Sequence, residues 1–91
     1  MSPVVAQARL ANAHGLHARP CHQLVMIALA HRSQLRVRCG AREVDGRSIL
    51  SLLTLGAAHG ATLEFSAEGD DAQELVDALL AVVQSGFSEV D

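Results

Sequence analysis

Asn12-Ala13-His14-Gly15-Leu16-His17-Ala18-Arg19-Pro20 joins a stretch of alternating hydropathy to one with a helical period. Before it, from Val4 to Ala11, Val4, Ala6, Ala8 and Leu10 share one face, with Val5, Gln7 and Arg9 on the other. That is the pattern of a half-buried strand. After it, from about Ala18 to His31, Leu24, Val25, Ala28 and Leu29 form an apolar stripe, with Cys21 a turn earlier, as in an amphipathic helix. Pro20 suits a first turn, where its missing N–H costs nothing, although it disfavours helical geometry at Arg19. No Ser, Thr or Asp stands at positions 17 and 18 to cap this helix, so its first N–H groups are left for water or a bound anion. A helix start is also the positive end of its dipole. Two residues with matching chemistry stand there: His17, a nucleophile, and Arg19, a rigid fork of donors suited to phosphate.

The chain has 91 residues, enough for one domain, 1–91, with one modest core. At 49% hydrophobic it belongs among globular chains, and with two Phe and no Trp or Tyr its core is aliphatic. Seven basic residues, all arginine, stand against ten acidic ones, for a net charge of -3. That balance, with so few aromatics for base stacking, argues against a general nucleic-acid binder. Cys21 and Cys39 make no disulfide framework. No basic segment opens the chain as a leader would, and no apolar run approaches the ~18 residues of a membrane span. The expectation is a cytoplasmic protein with free thiols and no membrane insertion.

The remaining chain continues the two patterns. Gln34 to Cys39 alternates, with Leu35, Val37 and Cys39 inward. Gly40 turns the chain and Arg42 to Asp45 returns as a polar edge strand. Ser48 is a natural N-cap for a short helix over Ile49 to Leu55, closed by Gly56. Ala61 to Ala67 alternates again, with Leu63 and Phe65 inward. Asp71 and Glu74 have the spacing of a capping box before a helix from about Ala72 to Ser85 that buries Leu75, Leu79, Val82 and Val83. Phe87 to Asp91 reads as a frayed tail. The order is βαββαβα, which implies an α+β fold whose sheet has one face under helices and one in water.

These residues resemble the histidine-containing phosphocarrier (HPr) family of the bacterial phosphotransferase system. The resemblance rests on Gly15-Leu16-His17-Ala18-Arg19-Pro20, on Arg47-Ser48-Ile49-Leu50 with Leu55-Gly56, on Gly60, and on Ala67-Glu68-Gly69-Asp70-Asp71-Ala72. It implies an open-faced β-sandwich: a four-stranded antiparallel sheet with three helices on one face. It implies a monomeric carrier, not an enzyme with its own turnover, using neither cofactor nor metal. In that reading His17 accepts a phosphoryl group from phosphorylated enzyme I, charged by phosphoenolpyruvate, and passes it to an enzyme IIA domain in sugar uptake. Ala18 and Arg19 contact the phosphate, and Leu16, Pro20, Arg47, Ile49, Leu50 and Leu53 form the docking surface. In many relatives the serine matching Ser48 is phosphorylated by an ATP-dependent HPr kinase/phosphorylase. The alternative is an HPr-like regulatory module, controlled at Ser48, that binds a transcription factor or a kinase.

The residues support that chemistry independently. Imidazole ordinarily titrates near pH 6.5, so a neutral ring nitrogen is available to attack phosphorus. The charge that arrives with the phosphoryl group suits a helix start and an arginine. Without its flanking motif, a histidine before a helix is ordinarily only solvated, and a serine N-cap needs no regulation to explain it. His14, His17, Cys21 and His22 suggest a soft metal site, but their spacing fits no closed one and Cys21 falls on the buried stripe. His31 and His59 read as surface residues. Three features depart from the family pattern. His14 stands where asparagine or another small polar residue is usual, Cys21 and His22 replace small residues, and Met26, Leu29 and Ser51 stand where basic residues are frequent.

Overall fold

The structure is a computed structural model and describes residues 2–88. Strands β1 (Val4–Arg9), β2 (Gln34–Cys39), β3 (Arg42–Asp45) and β4 (Thr62–Glu68) form one sheet in the order β1-β4-β2-β3. Every pairing is antiparallel, with Ala8 opposite Leu63, Val37 opposite Phe65, and Val37 opposite Val44. Helices α1 (Ala18–Leu29), α2 (Ile49–Leu53) and α3 (Ala72–Gln84) complete the expected open-faced sandwich.

The strand period sorts the two faces of the sheet. Ala8, Leu35, Val37, Leu63, Phe65 and Ala67 are buried, and they join Leu24, Val25 and Ala28 of α1 and Leu75, Leu79 and Val83 of α3 in one core. The alternate residues Gln7, Arg36 and Arg38 face water, as does Val5. On that open face Arg36 pairs with Glu43 at 3.8 Å and Arg38 with Glu64 at 3.7 Å. Such exposed pairs add at most ~1 kcal/mol each.

Four expectations need correction. Leu29 is exposed rather than buried. At ~100° per residue it lies about 80° from Cys21, at the margin of the stripe centred on Leu24, Val25 and Ala28. Val82 is only half-buried and Val76 takes its place in the core, because the true centre of the α3 stripe lies between Leu75, Leu79 and Val83. The Asp71 carboxylate caps its helix with no side-chain bond. It instead accepts from the Ser33 hydroxyl, from the Ser33 N–H at 2.9 Å and from the Arg32 N–H at 2.8 Å. Asp71 therefore latches the α1–β2 loop onto the start of α3, a long-range role that capping-box spacing does not reveal.

The fourth correction concerns the carboxyl end. Phe87 does not fray: it is fully buried, in a 3₁₀ turn (Gly86–Ser88), with φ at 59°. Its carbonyl accepts from Gln23 Nε2 of α1 at 3.2 Å. Burial of a whole ring offsets the ~1–3 kcal/mol that a left-handed non-glycine residue costs. Positions 89–91 of the expected tail lie outside the described residues.

Two measurements check this account. Phe87→Ala is expected to cost ~3–5 kcal/mol of unfolding free energy in a denaturant titration, where a frayed residue would cost almost nothing. The hydrogen bonds from the Ser33 hydroxyl, and then from the Arg32 N–H, lower the Asp71 carboxyl from 3.8 to about 2. A lowered folded value means stability that is fully present above pH 3.8 and lost as the pH falls through about 2. Acid unfolding of Asp71→Asn is therefore expected to lack that part of the acid limb.

Candidate functional site

The loop between β1 and α1 is built before its histidine is placed. Gly15 N–H donates to the Asn12 carbonyl at 3.3 Å, closing a turn over residues 12–15. The buried Asn12 side chain donates from Nδ2 to the Gly15 carbonyl at 2.7 Å, and His17 N–H donates to the same oxygen at 3.1 Å. Gly15 has a φ of 62°, and a Cβ there would lie 2.4 Å from the Ala57 carbonyl oxygen. Leu16 N–H donates to that same Ala57 oxygen at 2.9 Å. Only glycine lets the loop take this turn and this approach together.

His17 then falls at the N-cap of α1, in extended geometry (φ -97°, ψ -171°), half-buried and making no side-chain cap. The first turn holds no acidic residue. Pro20 has no N–H, and Cys21 N–H donates to the His17 carbonyl at 3.1 Å. The helix supplies no partner for the N–H groups of Ala18 and Arg19. Both residues are exposed, so two backbone donors and the positive end of a helix dipole lie beside His17 in the chain, with Arg19 two residues on. The His14 and His17 rings also meet edge to face, with centroids 5.8 Å apart.

The residues expected to form a docking surface separate into two groups. Leu50 is 77% exposed and Leu53 38%, with Ile49 half-buried beside them. Met26 and Leu29, three residues apart on α1, are each about half exposed, so α1 adds apolar surface of its own. Leu16 and Pro20, in contrast, are buried, Leu16 as part of the core. Their place in the motif is a packing requirement, which residue type alone did not separate from surface contact.

Arg47 has a task the sequence did not reveal. Its Nη1 donates to the carbonyls of Ala28 at 3.0 Å, His31 at 3.2 Å and Ser33 at 3.3 Å. It thus supplies the cation at the carboxyl end of α1, whose last turn carries no basic residue. Ser48 is the N-cap expected of it, accepting the Ser51 N–H at 3.2 Å, a bond worth ~1 kcal/mol. The soft-metal reading loses its sulfur: Cys21 is fully buried, and burial pushes its thiol up to about 11. Among the described residues no group of three or more His, Cys, Asp or Glu side chains is placed to hold a metal ion, and no helix is long and apolar enough to cross a membrane.

The family model described as "PTS HPr component phosphorylation site" matches residues 4–85. The chain belongs to the HPr family. The phosphocarrier protein HPr of Cupriavidus necator is 38% identical over 78 residues, covering 86% of this chain and 88% of that one. A multiphosphoryl transfer protein of Vibrio cholerae is 37% identical over 84 residues, 89% of this chain but only 21% of that longer protein. The crystal structure of HPr-C-His from Thermoanaerobacter tengcongensis superposes with a TM-score of 0.92 at 34% identity, over 97% of this chain and 99% of that one. The protein is therefore a phosphocarrier of the phosphotransferase system, a carrier rather than a catalyst.

Gly15→Ala tests how the loop is built. It is expected to cost more than the ~1–3 kcal/mol of the left-handed φ alone, because the added Cβ also meets the Ala57 carbonyl. The same substitution at Gly40, where a Cβ meets nothing within 4 Å, carries the φ cost alone and is the control.

Proposed function

We propose that His17 is the phosphoryl acceptor, taking its group from phosphorylated enzyme I and passing it to an enzyme IIA domain in sugar uptake. The observation that carries this reading is the imidazole's position at the N-cap of α1, with no carboxylate in the first turn. The lone pair of one ring nitrogen forms the new N–P bond. The bond from phosphorus to the donor breaks and its electron pair leaves with the donor, while the acceptor ring keeps the proton on its other nitrogen. Charge on the transferring group is met by the Ala18 and Arg19 N–H groups and by the Arg19 guanidinium. The site is open to water on one side, which suits a group that must be handed on.

Leu50, Leu53 and Ile49, with Met26 and Leu29, offer the apolar centre of a docking face, where partners meet around a polar rim. One copy of the chain carries acceptor, dipole and docking face, so this reading needs no second copy. A serine-specific HPr kinase/phosphorylase acting at Ser48 would add about two negative charges beside Leu50 and oppose docking of an acidic partner. If the carrier reading fails, the same apolar face supports the regulatory-module reading.

The test is phosphorylation by phosphoenolpyruvate and enzyme I, followed by intact mass. One acid-labile phosphate is expected on the wild type and on Ser48→Ala, and none on His17→Ala. A folded protein that takes no phosphate from a competent enzyme I, yet still binds a partner through Leu50, would replace this reading with the regulatory one.

A further inference from the structure

We propose that His14 is a second imidazole acting on the phosphoryl group, and that its protonation makes retention of phosphate at His17 depend on pH. The inference rests on the reading of His17 as acceptor and names a regulator of that same site.

The two rings are held together by the backbone. The turn over residues 12–15, closed by the Gly15 N–H and the Asn12 side chain, carries His14. The His17 N–H donates to the Gly15 carbonyl, so the second ring hangs from the same turn. The rings consequently meet at 5.8 Å between centroids with planes 85° apart. His14 is exposed to solvent. A phosphoryl group on either nitrogen of His17 lies within about one Debye length of it, ~8–10 Å.

The sign follows from charge. Imidazole ordinarily gains its proton below ~pH 6.5. A cationic His14 attracts the phosphoryl group and repels a proton at His17, so both effects favour the phosphorylated carrier at lower pH. At ~6 Å in water a unit charge pair changes an equilibrium constant about threefold, and the nearly two charges of a phosphoryl group bring that to about tenfold. The other charged or titratable groups on the elements meeting here are Arg19 and His22 on α1, His59 in the loop after α2, and Arg9 at the end of β1. Arg9 reaches the same loop, its Nη2 lying 3.5 Å from where a Cβ on Gly60 would stand. All four are retained in every variant below, so a ratio between variants cancels them.

The experiment measures the equilibrium between phosphoenolpyruvate and phosphorylated carrier, with catalytic enzyme I, from ~pH 5.5 to ~pH 8.5, bracketing the ordinary imidazole range. Wild type is compared with His14→Asn and His14→Arg. Because His14 is exposed, neither substitution empties a buried position. The ratio of wild type to His14→Asn is expected to rise from about one at the alkaline end to about three- to tenfold at the acid end. The ratio of His14→Arg to His14→Asn is expected to be raised already at the alkaline end, where the ratio of wild type to His14→Asn is about one, and to rise further only through the proton repelled from His17 at the acid end. A wild-type to His14→Asn ratio that does not change with pH would overturn the proposal while leaving His17 as acceptor. A wild type that takes no phosphate at all would overturn the acceptor reading, and this one with it.

Discussion

The contact between Gly15 and the Ala57 carbonyl oxygen is the constraint on which the functional end of the molecule depends. It lets two loops that are distant in sequence share one oxygen and one close backbone approach. That approach sets where α1 begins, and so where His17 stands relative to the helix dipole. It also ties the start of α1 to the loop that follows α2. At the opposite end of α1 the Arg47 guanidinium gathers three carbonyls from residues 28, 31 and 33. The short α2 is thus fastened to α1 at both ends, and a five-residue helix too short to be stable alone becomes a fixed platform.

The arrangement answers a problem that every phosphoryl carrier faces. The acceptor must hold a dianionic group firmly enough to transport it and loosely enough to release it. An enclosed pocket lined with arginines would favour holding. The proposed site, a helix start with two N–H donors and one exposed guanidinium, would give modest, open stabilisation instead. Leu50, at the start of the short α2, is 77% exposed. On the proposed reading, chemistry and recognition sit side by side on α1 and α2, carried by the sheet and α3.

The stability of the support comes from long-range bonds made by residues that look local. Asp71 has the spacing of a cap, yet its oxygens are taken by Ser33 and Arg32, which leave it no side-chain cap to make. Phe87 has the position of a tail residue, yet its ring completes the core and its carbonyl is held by Gln23 of α1. In each case a polar or aromatic group finds a better partner across the fold than along the chain. Leu16 and Pro20 show the same principle within the motif, since they serve the core rather than the surface.

The order of elements, the inward faces of the strands and the site motif were legible in the sequence, because periodicity and local turn chemistry act over a few residues. Val37, Leu63 and Phe65 had to face inward for the alternation to bury anything, and Gly15 and Ser48 carry their roles in their residue types. The position of His17 at an uncapped helix start was equally local. The ring contact between His14 and His17, the Arg47 staple, the Asp71 latch and the burial of Phe87 were decided only by the tertiary structure. Each joins groups whose separation in space is set by how the helices lie on the sheet, and no local pattern of residues encodes that distance.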